Sequence, residues 1–151
     1  MKNEFMLLAY KQAQIAFQKD EVPVGCVIVK DDKVIAKAYN KKENKNCAIN
    51  HAEIECIKKA TKKLSNWNLV GCDMYVTLEP CMMCTGAIIN SRISNVYYGC
   101  KDPKGGALES NIEIKKIKAL NHYPNIEGGI YAEECSKLLK LFFKNKRFPR
   151  Q

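Results

Sequence analysis

The chain has 151 residues, 46% of them hydrophobic and 27% charged, and a formal net charge of +9. That length suits one domain, read as 1–151, with a substantial core; no apolar run is long enough to span a membrane, and Met1-Lys2-Asn3-Glu4 lacks the apolar stretch of a secretion signal. The basic excess points to a polyanionic partner or, more blandly, to a solvated lysine surface, and the eight cysteines, of which only Cys81 and Cys84 are closely paired, read as reduced cytoplasmic thiols and not as a disulfide framework.

Glu4 to Lys19 carries a helical stripe of Phe5, Leu8, Ala9, Ala13, Ala16 and Phe17. Val22-Pro23-Val24-Gly25 breaks it and leads into Cys26-Val27-Ile28-Val29, a β-branched run expected to be a buried strand. Asp31-Asp32 signals a turn, and Lys33 to Tyr39 alternates as a second strand, giving a hairpin. Lys41 to Lys45 is a charged loop. His51 to Leu64 is the second helix, with Ile54, Ile57, Ala60 and Leu64 on one face. Met74 to Leu78 is a third strand, Cys81 to Asn90 a third helix, and Val96 to Gly99 a fourth strand. Asp102 to Gly106 is a glycine-rich turn, followed by a helix from about Ile112. A short fifth strand precedes Gly128-Gly129, and Glu133 to Lys146 is the last helix. Helix, hairpin, then alternating helix and strand argue a three-layer α/β/α sandwich on a mixed sheet of about five strands.

Two stretches carry chemistry. His51-Ala52-Glu53 is followed by Glu79-Pro80-Cys81-Met82-Met83-Cys84. Zinc takes imidazole and thiolate ligands in a tetrahedral shell, and a catalytic site supplies three of them and leaves the fourth place open. His51, Cys81 and Cys84 make three. Cys81 and Cys84 share one face at the start of a helix, where the helix dipole favours thiolates. His51 and Glu53 would point about 200° apart on a regular helix. They reach one pocket only if His51 stands at the helix entrance, before the backbone becomes regular. Other readings of the same residues are a redox C-x-x-C pair, or a closed structural site completed by Cys47, Cys56 or His122, none of which has standard finger spacing. Met82 and Met83 read as core before pocket.

With these motifs in place, the chain resembles the cytidine deaminase-like superfamily, whose signature is H-x-E followed by P-C-x-x-C. Within it, the chain is most similar to the bacterial tRNA-specific adenosine deaminases. The likeness extends to Glu21-Val22-Pro23-Val24-Gly25, Tyr75-Val76-Thr77-Leu78, Gly86-Ala87-Ile88, Ser91-Arg92-Ile93, Asp102-Pro103-Lys104-Gly105-Gly106-Ala107, Glu134-Cys135 and Phe142-Phe143-Lys144. It departs at Ala48-Ile49-Asn50, where such relatives carry Pro-Thr-Ala, and at Tyr123, where they often carry a basic residue.

The resemblance implies one Zn2+ per chain on His51, Cys81 and Cys84, and Glu53 as the proton carrier of a hydrolytic deamination. It implies Asn40 and Asp102 as substrate contacts, though each also reads as a turn former. It implies a homodimer acting on a tRNA anticodon stem-loop. A deaminase of a free base or nucleoside, and a silent RNA-binding module with structural zinc, are the rival functions. Lys137 to Gln151 has six basic residues, no acid, and Phe142, Phe143 and Phe148 interleaved. Phosphates and splayed bases call for that mixture. Phe142 and Phe143 are expected in the core and the basic tip on RNA.

Overall fold

The computed structural model describes residues 1–147. In chain order it forms α1 (Lys2–Gln18), β1 (Gly25–Lys30), β2 (Lys33–Tyr39), α2 (Ala52–Leu64), β3 (Cys72–Leu78), α3 (Met82–Ser91), β4 (Asn95–Cys100), β5 (Asn125–Glu127) and α4 (Ala132–Arg147). The strands make one five-stranded sheet in the order β2-β1-β3-β4-β5. β1 runs antiparallel to β2 and β3, whereas β3, β4 and β5 are parallel. The mixture follows from the connections. Asp31 and Asp32 both adopt positive φ, 49° and 60°, the backbone that a tight two-residue hairpin requires. β3 and β4 are joined through α3, as parallel neighbours must be joined by a crossover.

The pleat divides the core into two layers. On one face Cys26, Ile28, Met74, Val76, Val96 and Tyr98 pack with Ala52, Cys56 and Ala60 of α2 and Ile88 of α3. On the other, Val27, Val29 and Tyr75 meet Met6 and Ala9 of α1. Each fully buried Val, Ile or Met among them contributes about 1.5–3 kcal/mol. α1 presses so closely on β1 that a Cβ on Gly25 would lie 2.0 Å from the Ala9 carbonyl oxygen. α4 completes the α1 layer through Cys135 and Phe142, whose ring meets Phe17 edge-on at 6.0 Å.

Three expectations give way. Instead of a helix from Ile112 there is a single 3₁₀ turn, Ile114–Lys116, because only Ile114 of that stretch is buried and hydrogen bonds within the 106–114 segment hold the backbone. Phe143 is 48% exposed although Phe142 is buried; neighbours on a helix point about 100° apart and cannot share one core face. Met82, at the first position of α3, is 67% exposed. Among the described residues no helix is long and apolar enough to cross a membrane.

Candidate active site

Two helix entrances build the site. His51 is the residue before α2, with extended backbone at φ −73° and ψ 155°. Cys81 stands in the same place before α3, at φ −74° and ψ 176°. This answers the geometric problem posed by the sequence: extended backbone at His51 turns its imidazole toward the pocket that Glu53 faces from the first turn of α2. Pro80 and the end of β3 deliver Cys81, and one turn later Cys84 is fully buried.

His51 Nδ1 lies 3.6 Å from Cys81 Sγ and 3.5 Å from Cys84 Sγ. For zinc–nitrogen and zinc–sulfur bonds of about 2.0 and 2.3 Å, a tetrahedral angle gives a nitrogen–sulfur separation of about 3.5 Å. Both separations match that value, and the three donor atoms all lie within 4.8 Å of one another, a set that suits zinc. Their charges agree. The Cys81 thiol is lowered to about 4 by hydrogen bonds from Cys84 and His51, against the opposing effect of burial. Its partner Cys84 is driven upward by that same neighbour and by burial. Contact with Cys81 raises the His51 imidazole. Such a set holds negative charge that a dication would balance. Among the described residues the metal-capable group is these three. Cys56 instead donates to the Cys26 carbonyl at 3.6 Å, and His122 Nε2 lies 2.6 Å from the Ile93 carbonyl oxygen.

Glu53 is 4% exposed. Burial pushes its carboxyl up to about 7, against the pull of its own backbone N–H and of His51. A carboxyl in that range is suited to take up and return a proton near neutral pH. Glu53 borders a cavity of about 190 Å³ together with His51, Cys81, Asn40 and Asp102. Asn40, one residue past β2, donates from Nδ2 to the Val22 carbonyl at 3.3 Å. Its Oδ1 is buried and finds no hydrogen-bond partner among the described residues. Asp102 accepts the N–H groups of Lys104 and Gly105 at 3.2 and 3.1 Å. An open groove of about 800 Å³ shares Val22, Leu78 and Asp102 with this cavity and continues past Lys101, Lys140, Phe143 and Lys146. It connects the pocket to the basic end of α4. Phe148, Arg150 and Gln151 lie outside the described residues.

Two buried carboxylates escaped sequence reasoning. Glu21 accepts the N–H groups of Glu43 and Asn44 at 2.9 and 2.7 Å, and also the Asn44 side-chain amide. It anchors the 41–50 loop that leads to His51. Glu79 gathers the loop that carries Asp102. Burial draws the Glu79 carboxyl upward, but hydrogen bonds from Ser110, Glu109 and Asp102 outweigh it and leave the group below the usual range. Both stand in stretches that carry the family likeness, Glu21 two residues before Pro23 and Glu79 directly before Pro80, but nothing local marks either as buried.

Comparison with known proteins adds the family. The chain matches the MafB19-like deaminase family over residues 1–147. A tRNA-specific adenosine deaminase of Rickettsia bellii is 51% identical over 141 residues, 92% of this chain and 97% of the relative. One from Agrobacterium fabrum is 42% identical over 146 residues, covering 97% and 96%. A solved structure from work on A-to-I editing by tRNA:A34 deaminases at the wobble position of transfer RNA is similar at TM-score 0.87 and 43% identity, covering 90% of this chain and 99% of that one. A guanine deaminase from Nitrosomonas europaea shares the fold at TM-score 0.76 and 18% identity, covering 93% and 83%.

Proposed function

We propose that this chain, which belongs to the family of bacterial tRNA-specific adenosine deaminases, converts adenosine to inosine at the wobble position of a tRNA anticodon. The observation that carries the chemistry is the convergence of His51, Cys81 and Cys84 beside buried Glu53 in one cavity. The relatives carry the choice of substrate.

The reaction consumes water and releases ammonia. A carbon–oxygen bond forms at C6 of adenine, and the bond from C6 to the exocyclic nitrogen breaks. His51, Cys81 and Cys84 are the residues that would hold zinc, and bound zinc supplies the Lewis acidity that makes water nucleophilic near neutral pH. Glu53 accepts a proton from the attacking water, passes it to the ring nitrogen beside C6, and then serves the departing amine. Proton transfer by a positioned side chain of this kind contributes about 10²–10⁴-fold. Asn40 Oδ1, buried and without a protein partner among the described residues, offers an acceptor to the nucleotide. Asp102 faces the same space and contacts the ribose or backbone.

The basic groove beside α4 receives the flanking anticodon stem-loop, through charge at Lys101, Lys140 and Lys146 and stacking on exposed Phe143. We read the whole chain as one deaminase domain, working in the cytoplasm as a homodimer.

The test is a deamination assay on an anticodon stem-loop with adenosine at the wobble position, run beside free nucleosides and bases. Inosine is expected in the stem-loop alone. Turnover of a free base with no product in RNA would overturn the substrate reading and leave the hydrolytic chemistry in place.

A further inference from the structure

The 101–112 segment leaves β4 and folds back across the end of β3, and a carboxylate sits at its centre. Glu79 is buried. Its Oε2 accepts the N–H groups of Leu108, Glu109 and Ser110 at 3.1, 2.8 and 3.0 Å. Its Oε1 accepts the N–H of Asp102 at 3.3 Å and the hydroxyl of Ser110. The backbone on either side joins in, with Glu79 N–H donating to the Cys100 carbonyl and Ala107 N–H to the Pro80 carbonyl, both at 2.9 Å. The packing leaves no room for a side chain at Gly106, where a Cβ would stand 2.4 Å from the Glu79 carboxyl carbon. The loop is wrapped around the charge.

That loop presents Asp102 to the cavity that Asn40 and Glu53 also line. Glu79 itself lies two residues before Cys81. One side chain therefore links the metal-binding segment to the wall that faces the substrate. A buried carboxylate needs donors in any role; here all five come from the 102–110 loop, whose Asp102 borders the cavity.

We propose that Glu79 is a positioning residue for substrate binding: by gathering the N–H groups of the 102–110 loop it fixes Asp102 on the wall of the catalytic cavity, in register with the metal-binding segment. This rests on the reading of Asp102 as a substrate contact. Glu79→Gln keeps the shape but replaces one acceptor oxygen with a donor, so the NH2 must face either the Asp102 N–H or the three N–H groups at the other oxygen. The loop loosens in both cases. His51, Cys81 and Cys84 keep their places.

The expected result for Glu79→Gln is zinc content equal to the wild type and faster hydrogen exchange confined to the 102–112 amides. KM for the stem-loop rises about tenfold, the weight of roughly one charge-assisted hydrogen bond, and kcat changes much less. Ser110→Ala, which removes one donor and leaves the carboxylate intact, shifts KM the same way by a smaller factor. Adding Glu79→Gln to an Asp102→Ala chain raises KM no further, because the position it secures is already empty. The proposal is overturned by unchanged loop exchange in Glu79→Gln. It is equally overturned by exchange that rises across the whole protein with loss of zinc, by additive effects in the double variant, or by a wild-type KM in Asp102→Ala. A wild-type chain that fails to deaminate the stem-loop would defeat the functional reading separately; the exchange contrast between wild type and Glu79→Gln would still decide the role of Glu79.

Discussion

Replacing Glu53 by Gln separates proton transfer from metal binding and from folding. The amide fills the same space and keeps a hydrogen-bonding group, but it cannot accept a proton from water. Turnover should fall by at least about 10²-fold, the lower end of what a positioned acid–base group contributes, while zinc content stays at that of the wild type. Stability should move the other way. Burial raises the folded-state carboxyl from its ordinary 4.5 to about 7. Between those values the unfolded chain is ionised and the folded chain still holds its proton, so folding loses stability as pH rises through that window and levels off above it. The rise corresponds to about 3 kcal/mol at roughly 1.4 kcal/mol per pH unit. Gln has no ionisation to suppress. The variant should therefore match the wild type near pH 4.5 and exceed it above pH 7, with about 3 kcal/mol as the upper limit, because a zinc dication nearby draws the wild-type carboxylate back toward ionisation. Urea unfolding of both chains across this range, with zinc quantified in each, measures the difference. Turnover within a few-fold of the wild type would refute the proton-carrier role. A variant less stable than the wild type at pH 8 would refute the account of burial.

Cys84→Ala should lose zinc and lower the melting temperature, because metal binding couples to folding; full zinc occupancy would show that Cys84 is not a ligand. Asn40→Ala should lower kcat/KM on RNA by about 5–150-fold, equivalent to the roughly 1–3 kcal/mol of a partner left unpaired, at unchanged zinc content, and unaltered kinetics would return Asn40 to the role of a turn residue. Removing Lys144 to Gln151 should weaken RNA binding and flatten its salt dependence, by about 0.7 in the logarithmic slope for each phosphate that is no longer neutralised. Stability should hardly change: among the described residues the cut takes away one exposed ion pair, Lys146 with Asp20 at 2.7 Å, worth about 0–1 kcal/mol, and the contact of Lys146 with the Phe142 ring. Identical salt slopes for the whole and shortened chains would remove the tail from RNA binding.

The metal donors and the sheet were legible in the sequence because each is encoded locally. Four apolar residues of β1 alternate between two cores, and an unbroken run such as Cys26 to Val29 has few other uses. His51 could be placed at a helix entrance because its spacing from Glu53 allowed nothing else in one pocket. Long-range anchoring was not legible. The partners of Glu21 lie 22 or 23 residues away and those of Glu79 lie 23 to 31 residues away, and no periodicity relates such positions. The expected helix from Ile112 shows the same limit. Of its isoleucines Ile114 alone is buried, its N–H bonded back to the Leu108 carbonyl at 3.1 Å in the loop that Glu79 organises.

Three buried glutamates of this chain show how surroundings divide one residue type into separate tasks. Glu21 accepts three hydrogen bonds and Glu79 five, nearly all from backbone N–H groups. At Glu79 donors in that number outweigh burial and hold the carboxyl below its usual range, and each of the two side chains organises a loop. Glu53 is as deeply buried, but beyond its own backbone N–H it has only thiol and imidazole for neighbours. None of these protein groups holds its charge firmly, and burial raises the carboxyl to about 7, toward a balance between protonated and ionised forms. A carboxyl that is to accept a proton and release it again must be left in that state. Had Glu53 been given the five donors of Glu79, its affinity for a proton would have been too low for the work, however well it was aimed at the cavity. The scarcity of partners around Glu53 is as much a part of the active site as the three donors beside it.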